Sequence, residues 1–148
     1  MSRRLSDTKN PALFDDLVKA GDFSFVDFGF ISGYQGREWI DKGDRVRGAF
    51  KILNMGRNYR ETDLPAALAR ESKRTGRTLL LATAYELAYY ASHGWIGDRL
   101  IGFGSSLHTP AGERLVSYLM SSGTYCKLGL SWADGEWGER DLVLCVIQ

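Results

Sequence analysis

The chain has 148 residues, 44% of them hydrophobic and 25% charged, with a formal net charge of +1. That length and balance fit one globular domain with its own core and exclude a disordered or low-complexity chain. The near-zero charge excludes an acidic nucleic-acid mimic and gives little overall pull toward nucleic acid. No apolar run reaches the roughly 18 residues of a transmembrane helix, and Arg3 and Arg4 are not followed by the apolar stretch of a secretory signal. A cytoplasmic location without membrane contact is the simplest expectation.

Residues 1–9 are polar and read as a flexible arm; a single α+β domain is expected over 10–148. Asn10-Pro11 has the form of a helix start, with Asn as N-cap and Pro at the first helical position. Leu13, Phe14, Leu17 and Val18 then repeat at helical spacing as far as Gly21. Phe23, Phe25, Phe28 and Phe30 crowd the next stretch. The first pair has one parity and the second pair the other, so a strand here needs a bulge or break near Val26-Asp27. Core packing is the ordinary role of such rings; an exposed patch for a partner is the sharper one. Gly33 and Gly36 flank Tyr34 in a loop, but no Lys-Ser/Thr pair follows to make it a phosphate-binding loop.

Asp44 to Leu53 reads as a strand, with Val46, Phe50 and Ile52 on one face and Arg45, Arg47, Lys51 and Leu53 on the other. The basic face runs on into Arg57, Tyr59 and Arg60. Cations with an interleaved aromatic are what a nucleic-acid surface needs, for phosphates and for base stacking. Asp41, Asp44, Glu61 and Asp63 lie close by and offset the charge, and a solvated strand face is the ordinary account.

Thr62-Asp63-Leu64-Pro65 opens a second helix whose stripe is Leu64, Ala67, Leu68 and Ser72, ending at Gly76. Arg70, Lys73 and Arg74 gather at its C-terminal end, where the dipole favours cations. After the short apolar run Thr78 to Ala82, Thr83 and Glu86 have the spacing of a capping box. Ala84, Leu87, Ala88 and Ala91 continue it as a third helix, its alanines allowing close approach to a sheet.

From Leu100 onward the pattern is strand-like. Leu100 to Leu107 is weakened by Gly102 and Gly104. Leu115 and Leu119 share a face in the next run, and Ser121-Ser122-Gly123 suits a hairpin. Thr124 to Trp132 places Cys126, Leu128, Leu130 and Trp132 on an apolar face, and Asp134-Gly135 is a second turn signal. Asp141 to Ile147 is almost continuously apolar, as in a strand buried on both faces. The expected fold is therefore α+β: an antiparallel sheet of five or six strands, a C-terminal β-meander, and about three helices packed on one face.

No reaction motif accompanies this fold. His93 and His108 belong to no spaced ligand set, so neither a metal nor another cofactor is expected. Cys126 and Cys145 fall within strand runs and read as buried free thiols, with a cross-strand disulfide as the alternative. Ser105-Ser106 follows Gly104 without the Gly-x-Ser-x-Gly pattern of a nucleophile turn. Glu113, Asp134, Glu136, Glu139 and Asp141 lie near turns, where no pair stands out as acid and base. Trp132 reads as core by parity, and Trp137 as a clamp on the hairpin or an exposed contact.

The segments TAYELAYYASHGWIGDRLIGFGSS, RLVSYLM, LGLSW, EW and DLVLCVIQ resemble a pattern in small uncharacterised proteins of bacteria and phages, over about residues 78–148. There a helix leads into a strand ending in Gly-Ser, and the chain closes after a Trp and an apolar strand. This chain ends Cys145-Val146-Ile147-Gln148 in place of a basic end. The resemblance implies the order of elements and no function.

Three functional expectations follow. The first is a small interaction protein that binds a protein partner or itself through an exposed sheet edge or an aromatic patch including Tyr34 and Trp137, as a homo-oligomer subunit or a phage-type inhibitor of a host complex. The second is a nucleic-acid binder using Arg45, Arg47, Lys51, Arg57, Tyr59 and Arg60. The third is an enzyme built on His93 or His108.

Overall fold

The computed structural model describes residues 23–27, 38–40, 49–92, 97–122 and 125–148. Within them lie eight strands of one mixed sheet. In chain order they are β1 (Phe25–Val26), β2 (Glu38–Ile40), β3 (Phe50–Leu53), β4 (Leu79–Leu81), β5 (Gly97–His108), β6 (Arg114–Ser122), β7 (Tyr125–Trp132) and β8 (Leu142–Ile147). Two α-helices are described, α1 (Leu64–Thr75) and α2 (Ala84–Ser92), with a 3-10 turn at Glu61–Asp63 before α1. The class is α+β as expected, but with more strands than five or six. The helix expected at Asn10 lies outside the described residues.

The sheet runs β1-β7-β6-β5-β8-β3, with β2 paired to β5 and β4 to β8. β5, β6 and β7 form the antiparallel meander. The expectation of a wholly antiparallel sheet closed by β8 is corrected: β8 crosses back to lie parallel to β5, and β1 lies parallel to β7. The reason is in β8 itself. Its residues are apolar at both parities, so an outer position beside β7 would leave one row exposed, whereas the place between β5 and β3/β4 buries both rows.

The two core clusters lie on opposite faces, because alternate residues of one strand divide between them. Leu142, Leu144 and Val146 pack with Leu100, Leu119 and Leu128 on the first face. Val143, Cys145 and Ile147 pack with Ile101, Phe103 and Val116 on the second. Helix α2 contributes Ala84, Tyr85, Leu87 and Ala91 to the first face, and α1 contributes Leu64 and Leu68 to the second. The helices therefore cover opposite faces of the sheet, not one. A sheet whose central strands are apolar on both sides requires this.

The capping box of α2 and the glycine stop of α1 are realised in detail. Thr83 N–H donates to Glu86 Oε1 (3.0 Å) and Glu86 N–H to Thr83 Oγ1 (3.1 Å), the reciprocal capping box. Ala84 N–H donates to Ser105 Oγ at 2.7 Å, tying the start of α2 to β5. Gly76 closes α1 at φ 71°, its N–H on the carbonyl of Ser72 (2.9 Å). Neither Thr62 nor Asp63 caps α1 with its side chain; the Asp63 carboxylate instead accepts Arg60 N–H at 2.9 Å within the 3-10 turn. No helix among the described residues is long and apolar enough to cross a membrane.

Candidate interaction face

The second face of the sheet is covered unevenly. Helix α1 lies over the β3/β4 side. The chain at Tyr59 and at Trp137 joins over the middle, where Tyr59 N–H donates to the Trp137 carbonyl (3.0 Å) and Trp137 N–H to the Tyr59 carbonyl (2.7 Å). On the outer side, four adjacent strands each present one side chain: Arg99 on β5, Tyr118 on β6, Lys127 on β7 and Phe25 on β1.

These side chains alternate cation and ring. The Arg99 guanidinium lies 5.5 Å from the Trp137 ring centre and 5.7 Å from that of Tyr118. Lys127 Nζ lies 5.5 Å from Tyr118 and 5.3 Å from Phe25. Such contacts hold a cation on an aromatic floor. Gly129 makes the floor possible: a Cβ there would lie 2.6 Å from Cζ of Tyr118, so only glycine lets this ring cross onto β7. The Lys127 ammonium is held above its ordinary pKa, first by its hydrogen bond to Tyr118. At the outer end the rings open to solvent, with Phe25 42% and Tyr125 43% exposed.

Arg99 is also fixed from the side. Its Nε and Nη2 donate to the two carboxylate oxygens of Asp141, each at 2.8 Å. Asp141 Oδ2 further accepts Gly138 N–H (2.8 Å), and the Asp141 carbonyl accepts the Tyr59 hydroxyl at 2.5 Å. Burial, then the Asp141 charge, push the Tyr59 phenol well above its ordinary pKa, so it stays a donor.

The residues singled out by sequence fall elsewhere. Tyr59 and Trp137 are both buried; Trp137 packs edge-on to Phe103 (5.2 Å), so neither ring offers a face to a ligand. Lys51 is paired with Glu71 at 3.1 Å on the side facing α1. Hydrogen bonds from Arg74 and Lys51 bring the Glu71 carboxyl down to about 2. Arg57 and Arg60 are exposed. Arg45, Arg47, Tyr34 and His93 lie outside the described residues. Trp132 departs from its core assignment and is 56% exposed. Its parity is right, since Cys126, Leu128 and Leu130 pack on the first face. But α2 has nine residues, about 13 Å of helix, and cannot cover the whole of β7.

Among the described residues, the serines and cysteines considered for catalysis hold structural places. Ser105 and Ser106 lie within β5 rather than at a sharp turn. Ser106 Oγ contacts His108 Nε2 at 2.9 Å along the same strand. Cys126 and Cys145 stand three strand spacings apart across β7-β6-β5-β8, about 14 Å, which excludes a disulfide between them. Burial raises the Cys145 thiol to about 12, far from a reactive thiolate.

Arg99, Tyr118, Lys127 and Phe25 are scattered in sequence and carry no common local signal; only the crowding of phenylalanines near Phe25 points to an aromatic surface. No family model matches the chain, and no curated protein or solved structure matches it.

Proposed function

We propose that the chain is a binding protein that takes a protein partner, or a second copy of itself, on the outer part of the second face. The carrying observation is the exposure of Phe25 and Tyr125 beside the cation-aromatic row of Arg99, Tyr118 and Lys127. Exposed aromatic rings next to an ordered arginine have the composition of an interaction hot spot. Phe25 is already held by Lys127 and Arg99 by Asp141, so binding loses little entropy at these side chains. The local charge supports protein over nucleic acid: with Arg99 paired to Asp141, the row lacks the run of unpaired cations that an extended phosphate backbone needs. A cytoplasmic interaction protein, including an inhibitor of a larger complex, fits this reading.

The test compares wild type with the Phe25→Ser/Tyr125→Ser double variant. Both are cross-linked and recovered from the native cell with and without nuclease, and both are sedimented for self-association. A stoichiometric partner or dimer present for wild type and lost in the variant is the expected result. Equal recovery by both proteins overturns the assignment to this face. Recovery of nucleic acid that nuclease removes moves the function to the exposed Arg57 and Arg60 and the basic segment around them.

A further inference from the structure

At the inner end of the cation-aromatic row, the surface dips into a concavity of about 560 Å³ lined by Asn58, Arg99, Gly138, Glu139, Arg140 and Asp141. We propose that this concavity is an oxyanion site, taking a phosphate or carboxylate group between Arg99 and Arg140. It goes beyond the protein-binding reading and does not depend on it.

The argument starts from the unused donors. Asp141 occupies Nε and one hydrogen of Nη2 on Arg99, and among the described residues the hydrogen bonds of this guanidinium end there, which leaves both hydrogens of Nη1 and the second of Nη2 as an open fork. The group is not free to turn away, being seated on Tyr118 and Trp137 and clamped by a carboxylate that is itself 8% exposed. A fixed guanidinium with an open end is suited to oxygen anions, whose geometry matches its fork. Arg140 lines the same concavity and makes no ion pair among the described residues.

The walls are ordered before any ligand arrives. Glu139 N–H donates to Asn58 Oδ1 at 3.1 Å, and Asn58 Nδ2 donates to Glu136 Oε1 at 3.3 Å. The turn closes with Asp141 N–H on the Gly138 carbonyl at 3.0 Å. One feature opposes an anion. The Glu139 carboxylate shares the rim, and with Asp141 it brings the formal charge of the lining to zero. Binding is therefore weak and sensitive to salt, and Glu139 tunes it. That opposition separates a site from a merely solvated loop, because the two kinds of rim charge must act with opposite signs.

The experiment titrates the full chain with inorganic phosphate and, separately, with acetate, at constant ionic strength made up with sodium chloride. The backbone amide signals of Gly138, Glu139 and Arg140 are followed by NMR. Saturable shifts are expected, larger with phosphate if the natural group is a phosphoryl and larger with acetate if it is a carboxylate. Both Arg140 and Glu139 are exposed, so their variants keep the fold. Arg140→Ala is expected to weaken binding roughly two- to fivefold, and Glu139→Gln to strengthen it by a similar factor, the size of exposed charge pairs. Arg99→Lys keeps the charge, loses the fork and is expected to abolish saturation. The Phe25→Ser/Tyr125→Ser variant is expected to titrate as wild type. Shifts reproduced by chloride alone, or unaltered by both Arg140→Ala and Glu139→Gln, overturn the proposal.

Discussion

A Cβ on Gly104 would sit 2.2 Å from the carbonyl oxygen of Leu81 and 2.7 Å from that of Ala82. The Gly104 N–H already donates to the Ala82 carbonyl at 2.7 Å, so the chain entering α2 lies directly on β5. Gly104→Ala must push backbone from backbone and is expected to cost about 3 kcal/mol or more in urea denaturation. Gly76→Ala has open space around it and bears only the left-handed backbone, about 1 kcal/mol. In sequence, Gly102 and Gly104 read only as a weakness in a strand; the crossing chain that requires them is remote and has no local signal. Glu71 makes a second prediction at this scale. Its carboxyl is lowered from the usual 4.5 to about 2 by hydrogen bonds from Arg74 and Lys51. Its contribution to stability is therefore present above pH 4.5 and is lost as pH falls toward 2. The stability difference between wild type and Glu71→Gln is expected to vanish over that acid window in urea melts.

Elements show where local signals suffice. The Thr83-x-x-Glu86 spacing specified the start of α2, and the reciprocal hydrogen bonds are there, because a capping box is completed within one turn of chain. Thr83→Ala is expected to cost about 1 kcal/mol, and Thr83→Ser much less. The bond from Ala84 N–H to Ser105 Oγ joins residues 21 positions apart and had no such signal. Ser105→Ala leaves a buried donor without its acceptor and is expected to cost about 1–3 kcal/mol, with amide exchange in the first turn of α2 as the site-specific readout. Strand β7 shows the limit of parity. Period two assigned its faces correctly, yet Trp132 is exposed, since parity says which way a side chain points and not what covers it.

For the whole molecule, the central strand β8 carries the cooperativity. It bonds β5 on one side and β3 and β4 on the other, and its side chains enter both cores. Leu144 is completely buried there. Leu144→Ala is expected to cost about 2–5 kcal/mol, and Leu130→Ala, on the outer and partly exposed strand β7, clearly less. Both variants are expected to unfold in one transition by circular dichroism and by tryptophan fluorescence, because the two cores share the strands between them. A variant that melts one face before the other contradicts this.

The sequence by itself determined the two described helices, the capping box of α2, the glycine stop of α1, the strands β6 and β7 and the double burial of β8, all of which rest on spacing within a few residues or on a continuous apolar run. The tertiary structure decided the place of β8 beside β5, the helices on opposite faces, and the burial of Tyr59 and Trp137. It also decided the row of Arg99, Tyr118, Lys127 and Phe25, which joins one residue from each of four strands. Strand order follows from which apolar faces must be covered together, a global requirement that no local window contains. The candidate site inherits that remoteness: it became visible only when the sheet set β1, β7, β6 and β5 side by side.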